Sequence, residues 1–324
     1  MKYLPVLFLG LILIGCDAIK KDTRVIKLAH GLDIEHPVHK GMEYMAEKVK
    51  ENSGGKLQIN IYPSGQLGQE RELLELMQIG SIEITKVSAA VMENFVPSYK
   101  VLGLPYIYRD EKHRFAVWDG PIGQKLLAEG ENYLMRGLCF YDAGSRSFYT
   151  KAKPVEKPAD LNGMKIRVMN SVTAFDMVKA LGGSPTPISW GELYTALQQG
   201  IVDGAENNAP SFYTSYHYEV CKYYSIDEHS AQPDVLLINS NLWKDLSDQE
   251  KKWLQDAVDA SVLEQRKLWK ESVEFCINKV KEAGVEVIYP DKTLFQEKVA
   301  PLYDSFESDP VIKQLIQEIR NEGT

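Results

Sequence analysis

The 324 residues are 44% hydrophobic and 25% charged, a globular composition with chain enough for about two domains. A formal net charge of −8 excludes the broad basic surface that nucleic acid or an anionic membrane face would require. It leaves open an anionic ligand held by the local charges of a pocket. In chain order, Lys2 precedes an apolar run from Leu4 to Ile14, too short for a permanent span and of the length of a cleavable signal segment. Asp17 to Thr23 are polar and read as a tether, and nothing later is long and apolar enough to cross a membrane.

Gly15 directly before Cys16 resembles the lipobox of bacterial lipoproteins. That resemblance implies a signal peptide over residues 1–16 and an acylated Cys16 as membrane anchor, on the outer face of a cell membrane. The remaining cysteines, Cys139, Cys221 and Cys276, form no CxxC pair, and an odd number leaves at least one thiol free.

Val25 to Ala29 reads as a buried strand, and His36-Pro37 opens a helix with Met42, Met45, Ala46 and Val49 at helical spacing. Lys56 to Tyr62 alternates with Leu57, Ile59 and Ile61 on one face, the period of a strand. A Pro63-Ser64-Gly65 turn leads to a helix over Gln69 to Ile79 stopped by Gly80, then to a strand over Ile82 to Val87. Strands follow at Leu138 to Asp142 and Ser147 to Thr150. In Met164 to Met169, Ile166 and Val168 share a face and Arg167 points to the other. A helix over Val172 to Leu181 comes next, then the pattern Ser189-Trp190-Gly191-Glu192, which predicts a capping box. Strand-like Ile201 to Asn207 follows Gly200. A second capping box at Ser247 to Glu250 opens a helical pattern that runs to Gly284, on the order of 50 Å, either one helix crossing two domains or a kinked pair.

Alternating strands and helices in two lobes tied by a shared helix predict an α/β fold with a cleft between the lobes. The expected lobes are residues 24–144 with 231–272, and 145–230 with 273–324, after the tether at 17–23. The motifs GxSxG, GxGxxG, HExxH and the P-loop are missing, so no reaction and no cofactor is expected. The six histidines are scattered, and the His36/His39 pair lacks the further ligands of a metal shell.

Four blocks stand in order: Tyr62 to Gly68, Gly163 to Val168, Gly191 to Gln198 and Val202 to Asn207. With the leader they resemble the DctP-type extracytoplasmic solute receptors of TRAP transporters over about residues 25–305. The resemblance implies a two-lobed periplasmic binding-protein fold with a hinge cleft and a long helix spanning both lobes, closure around a carboxylate ligand, and a partner permease of small and large membrane subunits, driven by a sodium gradient. A monomeric receptor is expected. The family's carboxylate-binding arginine falls on Arg167, and a guanidinium suits that task as a planar fork that keeps its charge. A second arginine falls on Arg146, a hinge amide on Asn207 with Asn208 beside it, and a polar ligand contact on Glu70. Ser88 stands where sialic-acid receptors carry an acid, which argues against that ligand. Lys86, His36 and Asp234 are further cleft candidates, and Trp190 and Phe148 offer flat apolar surface. The polar set favours a sugar acid such as D-glucuronate or D-galacturonate. The alternatives are a C4-dicarboxylate or other small carboxylate, and a sensory role for the same fold.

Overall fold

A computed structural model describes residues 23–323, so the leader, Cys16 and all but the last residue of the tether lie outside the described residues. The first lobe is built on a five-stranded sheet of β1 (Arg24–Ala29), β2 (Leu57–Tyr62), β3 (Ile84–Ser88), β4 (Met135–Tyr141) and β10 (Asp234–Asn239), in the order β2-β1-β3-β10-β4. Strands β1, β2 and β3 run parallel, and β10 enters antiparallel between β3 and β4. The alternation seen in the sequence buries Leu57 and Ile59 against Met42, Met45 and Val49 of the helix Pro37–Asn52.

The second lobe has six strands, β5 (Arg146–Thr150), β6 (Lys165–Val168), β7 (Ser184–Pro187), β8 (Gly204–Asn207), β9 (Tyr223–Ser230) and β11 (Glu286–Ile288), in the order β11-β9-β5-β8-β6-β7. Ile166 and Val168 bury in its core, as the parity of β6 requires. Pro185 and Pro187 hid β7 from the pattern. Proline lacks the N–H of a central ladder, and β7 is an edge strand paired to β6 alone.

The long pattern is one helix, Asp248–Glu282. Its box forms as predicted, with Glu250 N–H on the Ser247 hydroxyl and Ser247 N–H on the Glu250 carboxylate. Leu254, Ala257 and Val258 bury in the first lobe's core, and Cys276 and Val280 in the second's. The chain also crosses between lobes after β4 and after β9. At the first crossing Gly144 has φ +59° and lies so close to Trp269 that a Cβ would meet its ring at 2.9 Å.

Two expectations are corrected. The C-terminal helix Pro310–Asn321 packs Ile312, Leu315, Ile316 and Ile319 with Leu102, Trp118 and Val235, so it joins the first lobe and not the second. The Ser189 box does not form: residues Trp190–Glu192 are a 3-10 turn, Ser189 makes no side-chain cap, and the α-helix begins at Leu193. Cys139, Cys221 and Cys276 are all buried and unpaired.

Candidate functional site

A cavity of about 170 Å³ lies between the lobes, room for on the order of ten water-sized groups. Of the residues singled out from sequence, Glu70, Lys86, Ser88 and Asp234 line it from the first lobe, and Arg146, Arg167, Trp190 and Asn207 from the second.

Arg167 projects from β6 and is 2% exposed. Its Nε donates to the Ile188 carbonyl at 2.8 Å, while a terminal nitrogen is buried with no hydrogen-bond partner. The Trp190 ring centroid lies 5.6 Å from the guanidinium. Among the described residues no carboxylate forms an ion pair with it. Burial works against the cation and lowers its pKa, and a buried charge in this state is expensive until an anion arrives.

Arg146, on β5, is spent differently. Its Nε reaches Glu206 Oε2 at 2.5 Å, one terminal nitrogen reaches Glu206 Oε1 at 2.9 Å and the Glu206 carbonyl at 2.8 Å, and the other reaches Asn207 Oδ1 at 2.8 Å. Asn207 Oδ1 also accepts the Asn208 N–H at 2.9 Å. With its oxygen doubly engaged, the Asn207 amide has its N–H groups left to offer the cavity. Behind this pair, His229 Nδ1 bonds Asp227 at 2.8 Å and Nε2 faces Glu206 at 3.4 Å. Burial opposes both charges, yet Arg146 and His229 hold Glu206 down to about 2, and Asp227 and Glu206 raise His229 to about 9.

On the opposite wall, Lys86 Nζ lies 3.2 Å from Glu70 Oε1 and 3.2 Å from Asp234 Oδ1. Glu70 opens the helix Glu70–Gln78 and also accepts the Ser88 N–H at 3.1 Å. Burial opposes the ammonium, but Asp234 and Glu70 outweigh it and raise its pKa. Two carboxylates around one ammonium give this wall a negative excess.

His36 is corrected: it does not line the cavity. Its Nδ1 accepts the Val38 N–H at the start of its helix, and Nε2 meets the Ser211 hydroxyl at 3.1 Å, so it binds one lobe to the other from behind. Phe148 is also corrected: it is fully buried, lies tilted against the His229 ring at 4.5 Å between centroids, and does not line the cavity. Asn208 does more than turn the chain, since it caps the following helix through Ser211 N–H and donates to the Ala143 carbonyl. His39 pairs with His30 and Glu43, and no group of metal ligands forms among the described residues.

Sequence reasoning missed Gln69, Gln232, Ser189 and Ser211 in the lining. It also missed the contacts that close the cleft. Gln69 Oε1 accepts the Gly191 N–H from the other lobe at 3.1 Å. Buried Glu93 accepts the Thr173 N–H at 3.1 Å and its hydroxyl at 2.7 Å, and Asn94 donates to the Asn170 carbonyl at 2.7 Å. Nothing in the local sequence of Glu93 marks it as a cap for a helix in the other lobe. Gln69 alone carried a signal, because Glu72 three residues on takes its N–H as a helix start does.

The family model described as "Bacterial extracellular solute-binding protein, family 7" matches residues 28–309. A TRAP periplasmic solute-binding protein of Xanthobacter autotrophicus with bound β-D-galacturonate is 38% identical, with TM-score 0.88, over 91% of this chain and 99% of that one. One from Anaerococcus prevotii with bound D-glucuronate is 38% identical, with TM-score 0.89, over 92% of this chain and 97% of that one. The sialic acid-binding periplasmic protein of Vibrio cholerae is 29% identical over 97% of this chain and 99% of that protein.

Proposed function

The chain belongs to family 7 of the bacterial extracellular solute-binding proteins, and on that premise we propose that it is the receptor for a hexuronate, D-glucuronate or D-galacturonate. It delivers the acid to an ion-gradient-driven TRAP permease of small and large membrane subunits, is tethered through acylated Cys16, and catalyses no reaction itself. The observation that carries this reading is the buried Arg167 guanidinium, which lines the cavity with no counter-ion among the described residues. A ligand carboxylate there gains charge-assisted hydrogen bonds and removes the cost of an unpaired cation. The Asn207 amide supplies a donor beside it. At the far wall, Glu70 and Asp234 accept hydroxyls, and Trp190 gives a ring face for a sugar.

The negative excess at Glu70, Lys86 and Asp234 disfavours a second carboxylate, which speaks against a C4-dicarboxylate. The relatives with bound uronates support the sugar-acid choice. The test is a thermal-shift series on the chain lacking residues 1–16, with hexuronates, aldonates, C4-dicarboxylates and sialic acid. A ligand of the folded state raises the melting temperature by linkage. D-glucuronate or D-galacturonate should give the largest shift. A shift with succinate alone would overturn the sugar-acid reading, and none with any acid would overturn the receptor reading.

A further inference from the structure

The chain returns to the first lobe through residues 231–233, between β9 and β10, and this crossing is pinned on both sides. Before it the His229 carbonyl accepts the Tyr106 N–H at 3.0 Å, and at its end the Pro233 carbonyl accepts the Ala89 N–H at 2.9 Å. Gln232 stands between those anchors, is 4% exposed and lines the ligand cavity. Asp234 lines the cavity too, as the two-residue period of an extended chain allows.

The two side chains differ in what already holds them. Asp234 is engaged by Lys86 at 3.2 Å, whereas the Gln232 amide has no hydrogen-bond partner among the described residues. A buried amide costs free energy until its N–H and C=O groups are taken up, and the cavity is the side from which a partner can arrive. Gly103, the buried last residue of the 3-10 turn Pro97–Gly103, keeps room for it. A Cβ there would stand 3.0 Å from Gln232 Oε1 and 3.7 Å from Thr173 Cγ2 of the second lobe. The φ of Gly103 is not positive, so this glycine serves space and not backbone conformation.

An amide offers donors and an acceptor together and carries no charge. A carboxylate only accepts, and Arg167 and Asn207 already offer it donors. A hydroxyl both donates and accepts, and so matches an amide on both counts. We propose that Gln232 reads one ring hydroxyl of the sugar acid and thereby sets which hydroxylated carboxylates the cleft retains; the inference rests on the hexuronate reading above. An acid lacking that hydroxyl leaves the amide buried and unpaired in the complex, and is rejected for that reason.

The experiment is calorimetry on the wild type, Gln232→Met and Gly103→Ala. Each is titrated with the hexuronate that binds the wild type, D-glucuronate or D-galacturonate, and with its four monodeoxy analogues, one for each ring hydroxyl. Gln232→Met keeps the length of the side chain without its amide, and should weaken the parent acid by roughly tenfold or more. One monodeoxy analogue should bind the wild type more weakly by a similar factor, and for that analogue alone Gln232→Met should cost nothing further. Gly103→Ala, which crowds the amide without removing it, should shrink the wild-type penalty for the same analogue. A side chain that only supported the fold would weaken all five ligands alike. Equal losses for all five in Gln232→Met, no loss in that variant, or a wild type indifferent to every deoxygenation would each overturn this inference alone. A wild type that binds neither hexuronate would overturn the hexuronate reading and this inference together.

Discussion

In the first lobe's wall Lys86 is held between two carboxylates at 3.2 Å each, whereas in the second lobe's wall Arg167 has a carbonyl, an aromatic face and, among the described residues, no acidic partner. The same contrast recurs within the second wall, where Arg146 is neutralised by Glu206 and Arg167 is not. Two arginines on the strands that flank β8 thus do different work. Arg146 gives its charge to the fold and orients Asn207, and Arg167 keeps its charge for the ligand. A cleft that leaves one cation unpaired on one side and an acidic excess on the other prescribes a ligand with an anionic end and a hydroxylated end.

The contrast breaks most visibly through Glu206→Leu. Removing that acid leaves Arg146 and His229 buried without their partner, and should cost about 3–5 kcal/mol of stability in urea unfolding. Arg167→Met should behave oppositely: uronate affinity falls by about 2–5 kcal/mol in calorimetry, while the melting temperature without ligand holds or rises as an unpaired buried cation goes. If Arg167→Met destabilised the protein as Glu206→Leu does, the division of labour between the two arginines would be wrong. Glu93→Ala removes a cap that crosses the cleft. It should weaken binding by about 0.5–2 kcal/mol, appearing in stopped-flow as faster ligand release with little change in association. Asp234→Asn, which cancels the negative excess, should narrow the preference for uronate over succinate by about 1 kcal/mol in paired titrations.

The buried network sets a pH profile as well. Glu206 is depressed from 4.5 to about 2, so its contribution is complete above 4.5 and is lost as pH falls toward 2. His229 is raised from 6.5 to about 9, so its contribution is complete below 6.5 and is lost as pH rises toward 9. Between 4.5 and 6.5 both are whole. Melting temperatures across pH should fall on both sides of that window, and the alkaline limb should flatten in His229→Asn.

What could be read from the sequence follows the range of the interactions. The long helix was legible because its box and its apolar spacing are local; strand parity gave the face of Arg167, opposite Ile166 and Val168, and the family resemblance its role. Strand β7 was hidden by its prolines, and the Ser189 box misled because the Glu192 N–H bonds the Ser189 backbone carbonyl in a 3-10 turn instead of the Ser189 hydroxyl. The Arg146–Glu206 pair, the Lys86 triad and the Glu93 cap each join residues far apart in the chain. Their composition was visible and their partnership was not.

Strand β10 is inserted in the first sheet between β3 and β4, and helix Pro310–Asn321 seals one of that lobe's cores, although β10 is made after five of the second lobe's six strands and the helix after all of them. The first half of the chain therefore cannot finish folding while the rest is still arriving. During synthesis the earliest-made lobe therefore stays incomplete until helix Pro310–Asn321 has been made, and its core closes after the lobe that follows it in the chain.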